Sequence, residues 1–198
     1  MGLIMSDSQE KKENKVIKYI SIGLEVTLLL CLSMLFIRNT CYTPIVIDET
    51  SMDPTLKDND YGYVLRTDYA LKNIDRFDIV TCKVDGKQNE LIKRVIGLPN
   101  ETIEFIGTEC SLYVNGVEFK QDFITPEVQV YTGNHKYVIP ENSYLVLGDN
   151  RRVSVDSRAF GFVKQENMTG ILKVIMASCK IDENGQIISK EFKPFVYF

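Results

Sequence analysis

The chain has 198 residues and a mass of 22.7 kDa, enough for one modest domain with an anchor, since domains most often run about 100 to 150 residues. Its 27 acidic and 23 basic residues leave a net charge of −4 and a pI near 5.2. No Lys/Arg stripe stands out, which excludes a nucleic-acid binder, because phosphate contacts need clustered cations. Cys31, Cys41, Cys82, Cys110 and Cys179 form no CxxC pair and no Cys/His ligand spacing, so no zinc or other metal site is expected.

Residues 1–18, containing MSDSQEKKENK, are polar and read as a short tail. The run Tyr19–Ile37 carries one charge, Glu25, and about 20 apolar residues are what a helix needs to cross the hydrocarbon core, so residues 19–38 are predicted to span the lipid bilayer. A cleavable leader has a shorter apolar region and small residues at its end, whereas Arg38, Asn39 and Thr40 follow here. Lys11, Lys12, Lys15 and Lys18 precede the helix, and Arg38 alone stands just after it. The positive-inside bias therefore predicts a single-pass plasma-membrane protein with its N-terminus in the cytoplasm and residues 39–198 outside. Glu25 lies near enough to the cytoplasmic edge to snorkel.

From Pro44 onward, short β-branched and aromatic runs alternate with turn residues: YTPIVID, YGYVLR, FDIVTCKV, ELIKRVIG, TIEFIG, SLYVNGVEF, HKYVIP, SYLVLGD, GFV, GILKVIM and EFKPFVYF. Asp85-Gly86 and Asn115-Gly116 carry hairpin-turn chemistry. The outer domain is predicted to be mainly antiparallel β, with a helical turn near Pro54–Leu56 or Asn73–Arg76 and the aromatic tail as a strand.

Ser51, in IDETSMDPTL, follows an extended run and precedes a proline that stops the strand. A serine hydroxyl attacks a peptide carbonyl only when a neighbouring base takes its proton. The sole histidine, His135, sits in the polar TGNHKYV and reads as a loop residue. Lys93 is flanked by Leu91, Ile92, Val95 and Ile96. Such a strand can desolvate the amine and lower its pKa toward neutrality, by up to about 3 to 5 units.

SMDPTL at 51–56, KRVIGLPNETIEF at 93–105 and GDNRRVSVDSRAFGFV at 148–163 resemble, in order, three signature blocks of the bacterial type I signal peptidases, in the single-anchor form of Gram-positive bacteria. The resemblance implies a Ser51/Lys93 dyad, Ser154 as a serine hydrogen-bonded to the lysine, and Asp156 with Arg158 as a structural ion pair. It implies antiparallel β-sheets with a barrel-like core and a membrane-bound serine endopeptidase. The substrates would be exported preproteins, cut after small residues at −1 and −3, with no cofactor or metal. By alignment with that family, Ile45, Ile47, Met52, Leu56, Leu91 and Ile92 are the candidate substrate-binding residues, and the Ser51 N–H the expected oxyanion donor.

Two residues before the nucleophile, where the family usually has Gly or Ser, this chain has Glu49. On an extended strand Glu49 and Ser51 share a face, so the carboxylate is expected near the dyad, where it would repel an oxyanion and hold Lys93 charged. A specialised or non-catalytic factor for pilin or other surface-protein assembly therefore stands as the alternative. Arg152 and Val153 also replace a more usual polar pair.

Overall fold

The computed structural model describes residues 7–66, 74–107, 111–125, 134–181 and 186–197. Cys110 and Asn73 lie outside them. The chain divides into two compact units, 1–42 and 43–198.

The first unit is helix α1, Asp7–Cys41. It begins well inside the segment read as a polar tail, because Glu and Lys are strong helix formers and extend an existing helix without a new nucleation cost. Its stretch Asn14–Cys41 is long and apolar enough to cross a membrane. Every side chain from Asn14 to Asn39 is exposed. Glu25 accepts a long 3.4 Å hydrogen bond from Ser21 one turn earlier.

The second unit is mainly antiparallel β. Its larger sheet joins β1 (Tyr42–Val46), β2 (Asp60–Arg66), β11 (Met168–Ile181), β3 (Ile79–Cys82), β4 (Leu91–Gly97), β9 (Ser143–Leu147) and β10 (Val163–Lys164) in that spatial order, with β12 (Ile187–Tyr197) also on β11. Pro44 sits on edge strand β1, where a missing N–H breaks no ladder. The long β11 pairs with β2 along one side and with β3, then β12, along the other. Register shifts at Leu172/Val174 and Ile175/Ala177 interrupt its ladder, and such bulges bend a strand and let a sheet curl. The aromatic tail thus closes the sheet as a strand.

The smaller sheet orders β7 (Val117–Phe119), β6 (Ser111–Val114), β5 (Thr102–Ile106) and β8 (His135–Val138). Asn115 and Gly116, both at positive φ, make the tight β6–β7 turn that the Asn-Gly pair predicts. Asp85-Gly86 differs: its turn, closed by Lys87 N–H donating to Val84 O, lies within the longer link between Cys82 and Leu91. His135 is not a loop residue but the first residue of β8, opposite Phe105.

Three features of this fold position the site. Strand β4 lies between β3 and β9, and its seven residues are buried apart from a half-buried Ile92. After β1 the chain stays laddered through Ile47, whose N–H donates to Asp60 O, then coils into one helical turn closed by Leu56 N–H donating to Met52 O at 2.9 Å. Ile47, Met52 and Leu56 anchor this turn in a core with Val64, Ile79, Leu172 and Ile175.

Candidate active site

Ser51 opens the helical turn and is nearly buried. Lys93, on β4, is 0% exposed and donates from Nζ to Ser51 Oγ and to Ile92 O, each at 2.9 Å. At 0% exposure the amine does not reach bulk water. Burial lowers its pKa from the ordinary 10.5, while the carboxylates of Glu49 and Asp156 oppose that shift. A buried amine of lowered pKa within hydrogen-bond reach of a hydroxyl is the arrangement a general base requires. The Cys82 thiol, pushed up to about 11 by burial, stays protonated beside it.

Glu49 does approach both residues. Its Oε2 accepts the Ser51 hydroxyl at 3.1 Å and stands 3.6 Å from Lys93 Nζ. The extended strand that motivated this expectation ends at Val46, so the bend after β1, not strand alternation, brings the carboxylate there.

The loop after β9 fastens the turn of Ser51. Asn150 donates from its backbone to Ser51 O at 3.0 Å and from its side chain to Thr50 O at 3.2 Å. A Cβ on Gly148 would sit 2.4 Å from Ser51 O and 2.2 Å from Ser154 Oγ. Gly148→Ala should therefore displace the turn, costing about 1–3 kcal/mol in thermal unfolding and most of the activity; an unaltered melt and rate would show that the loop yields freely.

Asp156 and Arg158 form the expected ion pair, bidentate at 2.7 Å through Nε and Nη2. Asp156 also accepts the Gly148 N–H and caps the short helix α2, Ser157–Phe160. Ser154 does not make the expected contact with Lys93. Its Oγ is buried without a hydrogen-bond partner, and the lysine's bonds go to Ser51 and Ile92 instead.

The binding candidates divide. Ile47, Met52 and Ile92 line a cavity of about 240 Å³ with Ser51 and Glu49. Leu91 lines a second, about 460 Å³, on which Ser51, Glu49, Val153 and Val155 also open. Ile45 belongs elsewhere, to a cavity of about 390 Å³ with Val64 and Met168 that does not include Ser51. Leu56 is 0% exposed, turned into the core one helical turn after Met52, and lines neither of the two cavities beside Ser51.

The sequence reading left Arg94 and Asp149 unassigned. Arg94 donates from Nε and Nη2 to Asp149 at 2.8 and 2.7 Å, from Nη1 to Phe77 O, and lies 4.1 Å above the Phe123 ring. Thr55 of the nucleophile turn donates to the same carboxylate at 2.5 Å. Both residues stood inside the quoted motifs, and an acid and a base in two motif blocks was the available signal.

The family model described as "Signal peptidase, peptidase S26" matches residues 19–177. The chain belongs to this family. Signal peptidase I V of Bacillus subtilis is 36% identical over 149 residues, 69% of this chain and 86% of that protein. Signal peptidase IB of Staphylococcus aureus is 39% identical over 144 residues, 65% of this chain and 74% of that protein. A crystal structure of a signal peptidase I from Enterococcus faecalis, 36% identical, superposes with a TM-score of 0.45 over 50% of this chain and 97% of that chain. In this signal peptidase family member the matched segment takes in the apolar helix, the turn of Ser51, the strand of Lys93 and the 148–163 loop. Among the described residues no His/Cys/Asp/Glu group has a metal-binding arrangement.

Proposed function

We propose that this chain is a membrane-anchored serine endopeptidase that removes signal peptides from exported preproteins after small residues at −1 and −3, with Ser51 as nucleophile and Lys93 as base. The observation that carries it is the 2.9 Å hydrogen bond between a fully buried lysine and the serine. Neutral Lys93 takes the Ser51 proton, and Ser51 Oγ bonds to the carbonyl carbon after the −1 residue. The resulting ammonium protonates the departing amine, and water, deprotonated by the same lysine, releases the acyl group from Ser51. The Ser51 backbone N–H makes no hydrogen bond among the described residues and is open to the oxyanion.

Ile47, Met52 and Ile92 give the cavity beside Ser51 an apolar wall suited to small side chains. Asp156 and Arg158 act by holding the Gly148 loop. Lys11, Lys12, Lys15 and Lys18, in the part of α1 that precedes its apolar run, favour a cytoplasmic N-terminus, which puts the catalytic unit on the outer side, where the exported cleavage site emerges from the lipid bilayer.

The test is cleavage of a preprotein in lipid or detergent by the wild type and by Ser51→Ala. Product from the first alone supports the reading, and the acid limb of kcat/KM should report a group titrating below 10.5, because Lys93 works unprotonated. Glu49 against the Ser51 hydroxyl favours a second reading, a dedicated factor for pilin or surface-protein assembly; no product from the wild type on several preproteins would support it.

A further inference from the structure

We infer that Glu49 is a specificity-determining residue: its carboxylate holds the resting dyad in an unproductive arrangement, and a basic side chain next to the small −1 residue of the substrate draws it off. The inference rests on the proposed dyad.

The Ser51 hydroxyl has one proton. In the structure that proton points to Glu49 Oε2 at 3.1 Å, and Lys93 donates to the same oxygen of Ser51. This is the arrangement of an ammonium and a carboxylate sharing a hydroxyl between them. Proton abstraction needs the reverse, with Ser51 donating to a neutral Lys93, so the Glu49 contact must break first. At 3.6 Å from Nζ the carboxylate also favours the charged lysine. The other groups facing Lys93 do not supply this effect from an accessible position: Cys82 is a buried neutral thiol, and Asp156 is already committed to Arg158.

Glu49 is able to leave. Its side chain is 56% exposed while that of Lys93 is 1% exposed, so the carboxylate can turn to solvent or to a ligand and the lysine cannot follow. It opens on both cavities that flank Ser51. On the first, Asp48 and Glu90 stand with it and no lysine or arginine does; on the second, Asp58 stands with it and Lys87 offsets one charge. An extended substrate alternates its side chains. With the −1 residue directed into the apolar wall, the residues at −2 and +1 face the other way, within reach of the exposed carboxylate. A Lys or Arg there competes with Lys93 for the carboxylate, frees the Ser51 proton and lowers the pKa of Lys93 by drawing the negative charge away. An acidic residue at the same place does the opposite.

The experiment compares kcat/KM for full-length wild type and Glu49→Gln in detergent micelles. The substrates are matched signal-peptide peptides carrying Lys, Gln or Glu at −2 and at +1. The wild type should cut the Lys peptide at one of these positions about tenfold faster than the Glu peptide, with the ratio falling as salt rises. In Glu49→Gln the ratio should collapse to within about twofold, and the acid limb for the Gln peptide should move to lower pH. Glu49→Gly should behave likewise, separating loss of charge from loss of shape. Equal cleavage of all peptides by the wild type, or a preference that persists in both variants, overturns this inference and leaves the dyad intact. No cleavage of any peptide by the wild type overturns the dyad as well.

Discussion

Lys93→Met is expected to abolish cleavage while making the protein more stable near neutral pH. The activity loss should reach about 10³-fold or more, since among the described residues no other amine or imidazole is bonded to Ser51. Glu49 touches the hydroxyl, but a carboxylate is too weak a base to replace a neutral amine. Stability moves the other way. Holding an ammonium at 0% exposure costs several kcal/mol. Methionine fills nearly the same volume without a charge. The variant gives up the hydrogen bond to Ile92 O, worth about 1–3 kcal/mol if that carbonyl stays dry, so a net gain of about 1–2 kcal/mol remains. The sign with pH follows from linkage. The folded-state pKa of Lys93 lies below the unfolded value, so the unfolded chain binds more protons between the two and wild-type stability rises with pH across that window. Lys93→Met lacks this rise, and the two melting curves should converge as pH approaches 10.5. Thermal melts at two pH values alongside a preprotein assay settle the matter; a variant that still cuts, or one that is less stable at pH 7, would remove Lys93 from the role of buried base.

The strands were legible because each has a period or a turn residue that declares it. Asn115-Gly116 makes the predicted hairpin, and Pro44 falls on an edge. The fourteen residues of β11 show in the sequence only as GILKVIM, since its first residues are laddered to β3, distant in sequence, and its mixed end ASCK to the strand that follows, β12. His135 looked like a loop residue because its neighbours are polar; it opens an edge strand whose side chains are exposed except Tyr137, which packs on the core. At the site, the juxtaposition of Ser51 and Lys93 came from motif resemblance, and no local pattern could supply it across forty-two positions. The inward turn of Leu56 was hidden for the same reason. An apolar residue near a nucleophile lines a pocket or fills a core according to which way one helical turn rotates it, and that rotation is set by Val64, Ile79 and Leu172 from other strands.

Asp149→Ala should be the most destabilising single change at a site that does not touch the reacting atoms. Asp149 is 0% exposed and takes two hydrogen bonds from Arg94 and one from Thr55. Removing it leaves a buried guanidinium without its anion, which costs about 3–5 kcal/mol. For a unit of this size that is a fall of about 6–20 °C in melting temperature. Activity should fall further than the unfolded fraction accounts for. Arg94 neighbours Lys93 on β4, Thr55 belongs to the Ser51 turn, and Asn150, next to Asp149, donates to Ser51 O. The carboxylate is thus bonded at once to the strand of Lys93 and to the turn of Ser51, from the loop that clamps that turn. Replacing both charges, as Arg94→Met with Asp149→Leu, removes the desolvation cost together with the attraction and should recover most of the lost stability. It should not recover the rate, because no methyl group restores the hydrogen bond that Thr55 donates. A double variant as active as the wild type would show that packing alone aligns Ser51 with Lys93; one as unstable as Asp149→Ala would show that Thr55 and Phe77 O, not the charge pair, carry the energy.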